Sequence, residues 1–134
     1  MKEINVVGAA IKDGDKFLAA QRSEKMNNPL KWEFAGGKTE PGETYEQALK
    51  RELWEELGIR VNVGNFLAVG YSETETVKIT LYVYEARIIE GEPTAKEHKQ
   101  ITWINIRDLK TLDWAEADIP ACEKLVEMYG NKSN

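Results

Sequence analysis

The stretch from Thr44 to Gly58 constrains the fold of this 134-residue chain more than any other. Tyr45, Ala48, Leu49, Leu53 and Leu57 recur at helical spacing and form one apolar stripe that has to be buried. Thr44 can cap this helix, Gln47 three residues later completes a capping box, and Gly58 ends it. With the stripe facing the core, Glu52, Glu55 and Glu56 share an adjacent flank within one turn. Like charges at that spacing repel by about 0.2–0.5 kcal/mol per pair, and a bound cation is the expected offset. Carboxylate oxygens are hard ligands of the kind Mg²⁺ or Mn²⁺ prefers. A solvated acidic face is the other reading, and the helix alone does not decide between them.

Strand signals surround the helix. Residues 4–11 and 16–22 are β-like runs around Asp13-Gly14, a pair suited to a tight hairpin turn. Residues 23–31 are polar, contain Pro29 and read as a loop, and WEFAGG at 32–37 is expected to be one short strand. Residues 61–72, 77–89 and 100–106 are further strand candidates, and 90–99 is a polar loop with Pro93. A C-terminal helix is expected over 117–130, with Asp118 as a candidate N-cap and Pro120 in its first turn. Strands dominate, with a helix on each side of the strand-rich middle, so the expectation is one α+β domain large enough to bury a real core.

The net charge of −5 argues against a sequence-independent nucleic-acid surface, so no stable nucleic-acid binding is expected. The N-terminus lacks signal-peptide features, and no apolar run reaches membrane-spanning length. The lone Cys122 can form no internal disulfide and is expected to be a small packed side chain. These features point to a cytoplasmic protein without a membrane partner.

The spacing around the acidic helix is more specific than the helix itself. Gly37 is followed after five residues by Glu43, and after seven more by Arg51-Glu52-Leu53. Glu55-Glu56 and Gly58-Ile59 then follow at one-residue intervals. This pattern resembles the Nudix box, here residues 37–59, at every defined position. The similarity extends through WEFAGGK, KEHKQITWI and ADIP, toward the branch of MutT and the CTP pyrophosphohydrolases. The resemblance implies a single Nudix domain over 1–134, folded as an α-β-α sandwich around a mixed sheet. It also implies hydrolysis of a nucleoside diphosphate linked to another group. Matched residue by residue, it makes Glu52, Glu55, Glu56 and the Gly37 carbonyl metal ligands, with Glu97 an extra carboxylate from a loop. Mg²⁺ is the implied cofactor, with Mn²⁺ as the alternative. Without the resemblance Glu97 reads as surface. Gly36 and Gly37 are expected to adopt backbone conformations closed to other residues, letting phosphates approach the main chain. Arg51 and Glu43 are expected to form a structural ion pair.

An acidic site repels a triphosphate unless divalent ions bridge the two. The implied reaction is attack on the β-phosphorus of a nucleoside triphosphate, releasing a monophosphate and pyrophosphate. A carboxylate among Glu52, Glu55 and Glu56 takes the proton, and the family parallel favours Glu52. Arg22 and Lys38 are the expected phosphate contacts. Phe34 resembles a base-pocket residue, with core packing as its other reading; Trp32 and Tyr82 are weaker candidates. Asp118 aligns with the residue that reads the base edge, and a plain helix N-cap is its other reading. As an ionised acceptor it suits the amino group of cytosine, and it could also take the N1–H and amino group of guanine. Val77 stands about where both relatives carry an arginine. That departure leaves 8-oxo-dGTP, CTP and 5-substituted dCTP all open as substrates of a nucleotide-sanitising enzyme. The ADP-ribose and coenzyme A markers are missing. Dinucleoside polyphosphate cleavage, or nucleotide binding without turnover, are the other functional readings.

Overall fold

The computed structural model describes residues 1–130. In chain order the strands are β1 (Lys2–Asp13), β2 (Lys16–Gln21), β3 (Trp32–Glu33), β4 (Gly36–Lys38), β5 (Arg60–Glu73), β6 (Val77–Glu90) and β7 (Gln100–Asn105). Helix α1 (Tyr45–Leu57) joins β4 to β5. Helix α2 (Ile119–Tyr129) follows a 3-10 helix at Ile106–Thr111 and a 3-10 turn at Glu116–Asp118.

β1 is buried on both faces from Val7 to Ile11. Strand alternation sends Val7, Ala9 and Ile11 to one side and Val6 and Ala10 to the other, so a layer is needed on each. α1 covers the first side with buried Ala48, Leu49, Leu53 and Leu57, while Tyr45 stacks on Tyr82 at 4.6 Å between ring centroids. α2 covers the second with Ala121, Cys122 and Leu125 packed among Phe17, Ala10 and Val83. Cys122 is buried and free, as expected. The sheet is mixed. β6 runs parallel to β1 from Lys2↔Val77 to Ile11↔Ala86, and β5 is antiparallel to β6. β2 turns back from β1 across Gly14 (φ 63°) and pairs with β3 and β7. The result is an α+β sandwich of two helices around a mixed sheet. Among the described residues no helix is long and apolar enough to cross a membrane.

Two local expectations change. WEFAGG is not one strand: β3 pairs with β2 and β4 pairs with β1, so the chain crosses between partners at Phe34-Ala35. Asp118 stands at the start of α2, but with φ −89° and ψ −15° its side chain makes no cap hydrogen bond. Its carboxylate is engaged elsewhere.

Candidate active site

A cavity of about 840 Å³ is walled by β1, the 22–28 segment, β3, β4, α1, the turn between β5 and β6, the start of β6, and residues 115–118. Arg22, Phe34, Gly37, Lys38, Glu52, Glu56 and Asp118 line it; Glu55 and Glu97 do not. Trp32 and Tyr82 are also absent from its walls. Trp32 is half-buried against the core cluster that includes Phe34 and Trp114, and Tyr82 is taken up by its stack on Tyr45. Val77 lines the cavity together with Ile4, Val6, Ile79 and Leu81, beside Ser72, Thr74 and Thr76, so the wall where the resemblance implies an arginine carries no charge.

At the carboxylate end, Arg51 performs much of the neutralisation that the helix pattern assigned to a cation. Its Nε and Nη2 donate to the two oxygens of Glu43 at 2.7 and 3.0 Å, which is the expected structural pair. Its Nη1 donates to Glu52 at 2.8 Å and Glu55 at 3.1 Å, and Nη2 also reaches the Lys38 carbonyl. Glu56 lies outside this network, and its Oε1 is buried without a hydrogen-bond partner. Burial, then the neighbouring Glu97, Glu52 and Glu33 carboxylates, push the Glu56 carboxyl up to about 8. Burial also raises Glu52, against the opposing bond from Arg51. A buried, unpartnered oxygen among repelling carboxylates fits a hard divalent cation. Among the described residues no three such groups already converge at ligand distance, one oxygen each of Glu52 and Glu55 being engaged by Arg51.

The glycine pair is needed for a different reason from the one expected. Neither Gly36 nor Gly37 has a positive φ; both lie in β4. A Cβ on Gly36 would stand 1.9 Å from the Val7 carbonyl oxygen, and one on Gly37 would stand 2.1 Å from Glu52 Oε2. Space, not backbone torsion, excludes a side chain, and the Glu52 carboxylate packs directly over the Gly37 backbone.

At the other end, Phe34 is buried and stacks on Trp114 at 4.6 Å, so it serves the core and the cavity wall together. Its backbone N–H donates to Asp118 Oδ1 at 2.9 Å. Asp118 reaches that position because the segment before it is laced to β3. Trp32 N–H donates to the Asp113 carbonyl, and Ala115 N–H donates to the Trp32 carbonyl. Burial pushes the Asp118 carboxyl well above its usual range, with the Phe34 bond opposing. That direction favours the neutral carboxyl, which carries a donor that the purely accepting carboxylate of the sequence-based picture lacks.

Arg22 is tethered in the cavity wall. Its Nη1 donates to Glu33 Oε1 at 2.7 Å and its Nε donates to the Asn27 carbonyl. Lys38 keeps its side chain exposed. Sequence reasoning passed over Glu33, which lines the cavity, and His98, whose Nε2 lies 2.8 Å from Glu33 Oε2. The available signal was slight: His98 is the single histidine of the chain and follows Glu97 directly.

The NUDIX domain family model matches residues 2–125. The CTP pyrophosphohydrolase of Escherichia coli (strain K12) is 39% identical over 128 residues, covering 96% of this chain and 95% of that protein. The 8-oxo-dGTP diphosphatase of the same strain is 33% identical over 126 residues, covering 93% and 98%. Among solved structures, the solution NMR structure of the MutT protein from methicillin-resistant Staphylococcus aureus 252 superposes with a TM-score of 0.79. It is 45% identical and covers 96% of this chain and 99% of that one.

Proposed function

The chain belongs to the NUDIX domain family, and from that premise we propose that it is a divalent-metal-dependent pyrophosphohydrolase of the MutT and CTP pyrophosphohydrolase type. It converts nucleoside triphosphates to monophosphate and pyrophosphate. The supporting observation is one cavity with two unlike groups of residues, Glu52 and Glu56 in one and Phe34 and Asp118 in the other. A triphosphate with its base needs both.

Glu52, Glu55, Glu56 and the Gly37 carbonyl would hold Mg²⁺ or Mn²⁺, with Glu97 contributing from its loop. When bound there, such an ion would screen the triphosphate charge and polarise the attacked phosphorus. Glu52 takes the proton of the attacking water at Oε2, the oxygen not engaged by Arg51. The water oxygen bonds to the β-phosphorus as the bond to the α–β bridging oxygen breaks. Pyrophosphate leaves with the new oxygen, and the monophosphate keeps the bridging one. Arg22 and Lys38 bind phosphate oxygens.

Phe34 and Asp118 select the base. A neutral Asp118 donates through its hydroxyl, which suits a carbonyl of an oxidised guanine; an ionised one accepts, which suits the amino group of cytosine. We take 8-oxo-dGTP, CTP and 5-substituted dCTP as the candidate physiological substrates, in the role of nucleotide sanitation. A buried, free Cys122 suits a reducing cytoplasm, and the acidic net charge disfavours stable nucleic-acid binding.

Incubation of a nucleotide panel with Mg²⁺ tests the reading. Pyrophosphate and monophosphate are the expected products. Diphosphate with inorganic phosphate as the sole products would overturn it.

A further inference from the structure

His98 sits in the polar loop before β7, yet its side chain is 1% exposed. Its Nε2 meets Glu33 Oε2 at 2.8 Å, and its Nδ1 is buried with no partner. Burial pushes the Glu33 carboxyl up, but the bonds from His98 and Arg22 outweigh it and hold Glu33 below the usual range. An ionised carboxylate only accepts, so Nε2 is the donor in this bond. Nδ1 is buried without a partner, a cost that an apolar side chain would not carry.

Packing alone gives no reason for an imidazole there; Glu33 does. Its second oxygen, Oε1, takes Arg22 Nη1 at 2.7 Å, while Arg22 Nε is held by the Asn27 carbonyl. A guanidinium gripped from two directions has a set orientation, and Nη2 donates to none of the described residues. Arg22 and Glu33 line the cavity, whereas His98 does not. We propose that His98 is a positioning residue that acts through Glu33 to hold Arg22 in the cavity wall. Its effect on turnover, which rests on the pyrophosphohydrolase reading, falls on substrate binding and not on the chemical step.

The test compares His98→Leu, which fills the space without a donor, with His98→Gln, whose amide can donate near the Nε2 position. Two readouts are followed: steady-state kinetics on a nucleoside triphosphate with Mg²⁺, and the NMR resonance of the Arg22 Nε–H. In His98→Leu, KM rises about tenfold, the effect expected from losing a charge-assisted bond, with kcat within about twofold. The Arg22 resonance broadens by exchange with water, and His98→Leu adds no further rise in KM in an Arg22→Ala background. His98→Gln stays near wild type in both. A sharp Arg22 resonance in His98→Leu overturns the proposal, as does an equal loss in His98→Gln. If the wild-type protein releases no pyrophosphate from any triphosphate, the pyrophosphohydrolase reading falls, and the Arg22 resonance still decides the positioning role. Should His98→Leu fail to fold, Glu33→Gln weakens the same bond from the other side, and a sharp Arg22 resonance there overturns the proposal.

Discussion

The two helices pack on opposite faces of the sheet and begin in different ways. α1 starts from Thr44, whose hydroxyl accepts the Gln47 N–H at 3.1 Å while the Gln47 side chain accepts the Thr44 N–H at 2.9 Å. α2 starts from Asp118, whose carboxylate caps nothing and accepts the N–H of Phe34, 84 residues away. Both are short polar side chains at a helix start, and either could supply about 1 kcal/mol as a cap. At α2 the first turn contains Pro120, which lacks one of the orphan N–H groups a cap would serve. Asp118 is thus available for the cavity. The residue type found at a helix start says what can cap; burial and partners say what does.

The sharpest way to break the comparison is at the carboxylates of α1. Glu52→Gln or Glu56→Gln is expected to lower kcat by about a hundredfold or more at saturating Mg²⁺. A near-normal kcat would return the acidic flank to a solvated face. Glu56→Gln also changes stability with a predictable sign. The folded protein holds the Glu56 carboxyl at about 8, against an ordinary value of 4.5. The folded state therefore keeps a proton that the unfolded chain has lost, and metal-free stability falls as pH rises through that window. Glutamine does not titrate, so its advantage in Tm, measured in chelator, should grow from pH 5 to pH 8.5. Added Mg²⁺ must displace the same proton and should raise the wild-type Tm more at the higher pH.

Arg51→Ala comes next. It frees Glu43, Glu52 and Glu55 at once, so activity should fall about tenfold or more and the Tm should drop with it. Activity lost at an unchanged Tm would make Arg51 a substrate contact instead of a structural one.

Asp118→Asn retains an oxygen for the Phe34 N–H, so stability should change little. The ranking of kcat/KM among bases should shift about tenfold, as expected for one base contact of roughly 1–3 kcal/mol. An unchanged ranking would move specificity to Phe34 and the uncharged wall around Val77. Asp118→Ala, by contrast, orphans a buried N–H and should cost about 1–3 kcal/mol in a denaturant titration. The smallest effect belongs to the other helix start. Thr44→Ala should cost about 1 kcal/mol and leave the base ranking untouched.

What could be read along the chain was whatever depends on neighbours a few residues apart. The stripe, capping box and Gly58 of α1, the hairpin at Gly14 and the box spacing all have periods or torsions set within a dozen residues. The Arg51–Glu43 pair belongs to that group, since α1 and the loop before it bring the two together. The neutralisation of Glu52 and Glu55 by the same guanidinium was within reach of the sequence, yet a cation was the expected partner. The sequence by itself therefore determined the acidic helix, its glycine-flanked entry and the β-like run that becomes β1. Only the tertiary structure decided that Asp118 serves Phe34, that Glu33 joins Arg22 to His98, and that Tyr82 and Trp32 stay out of the cavity. Those contacts join residues as far as 65 and 84 positions apart. Pairing with β3, and the sandwich that buries both faces of the sheet, bring them together, and no local periodicity encodes which distant polar group will meet another once both are buried.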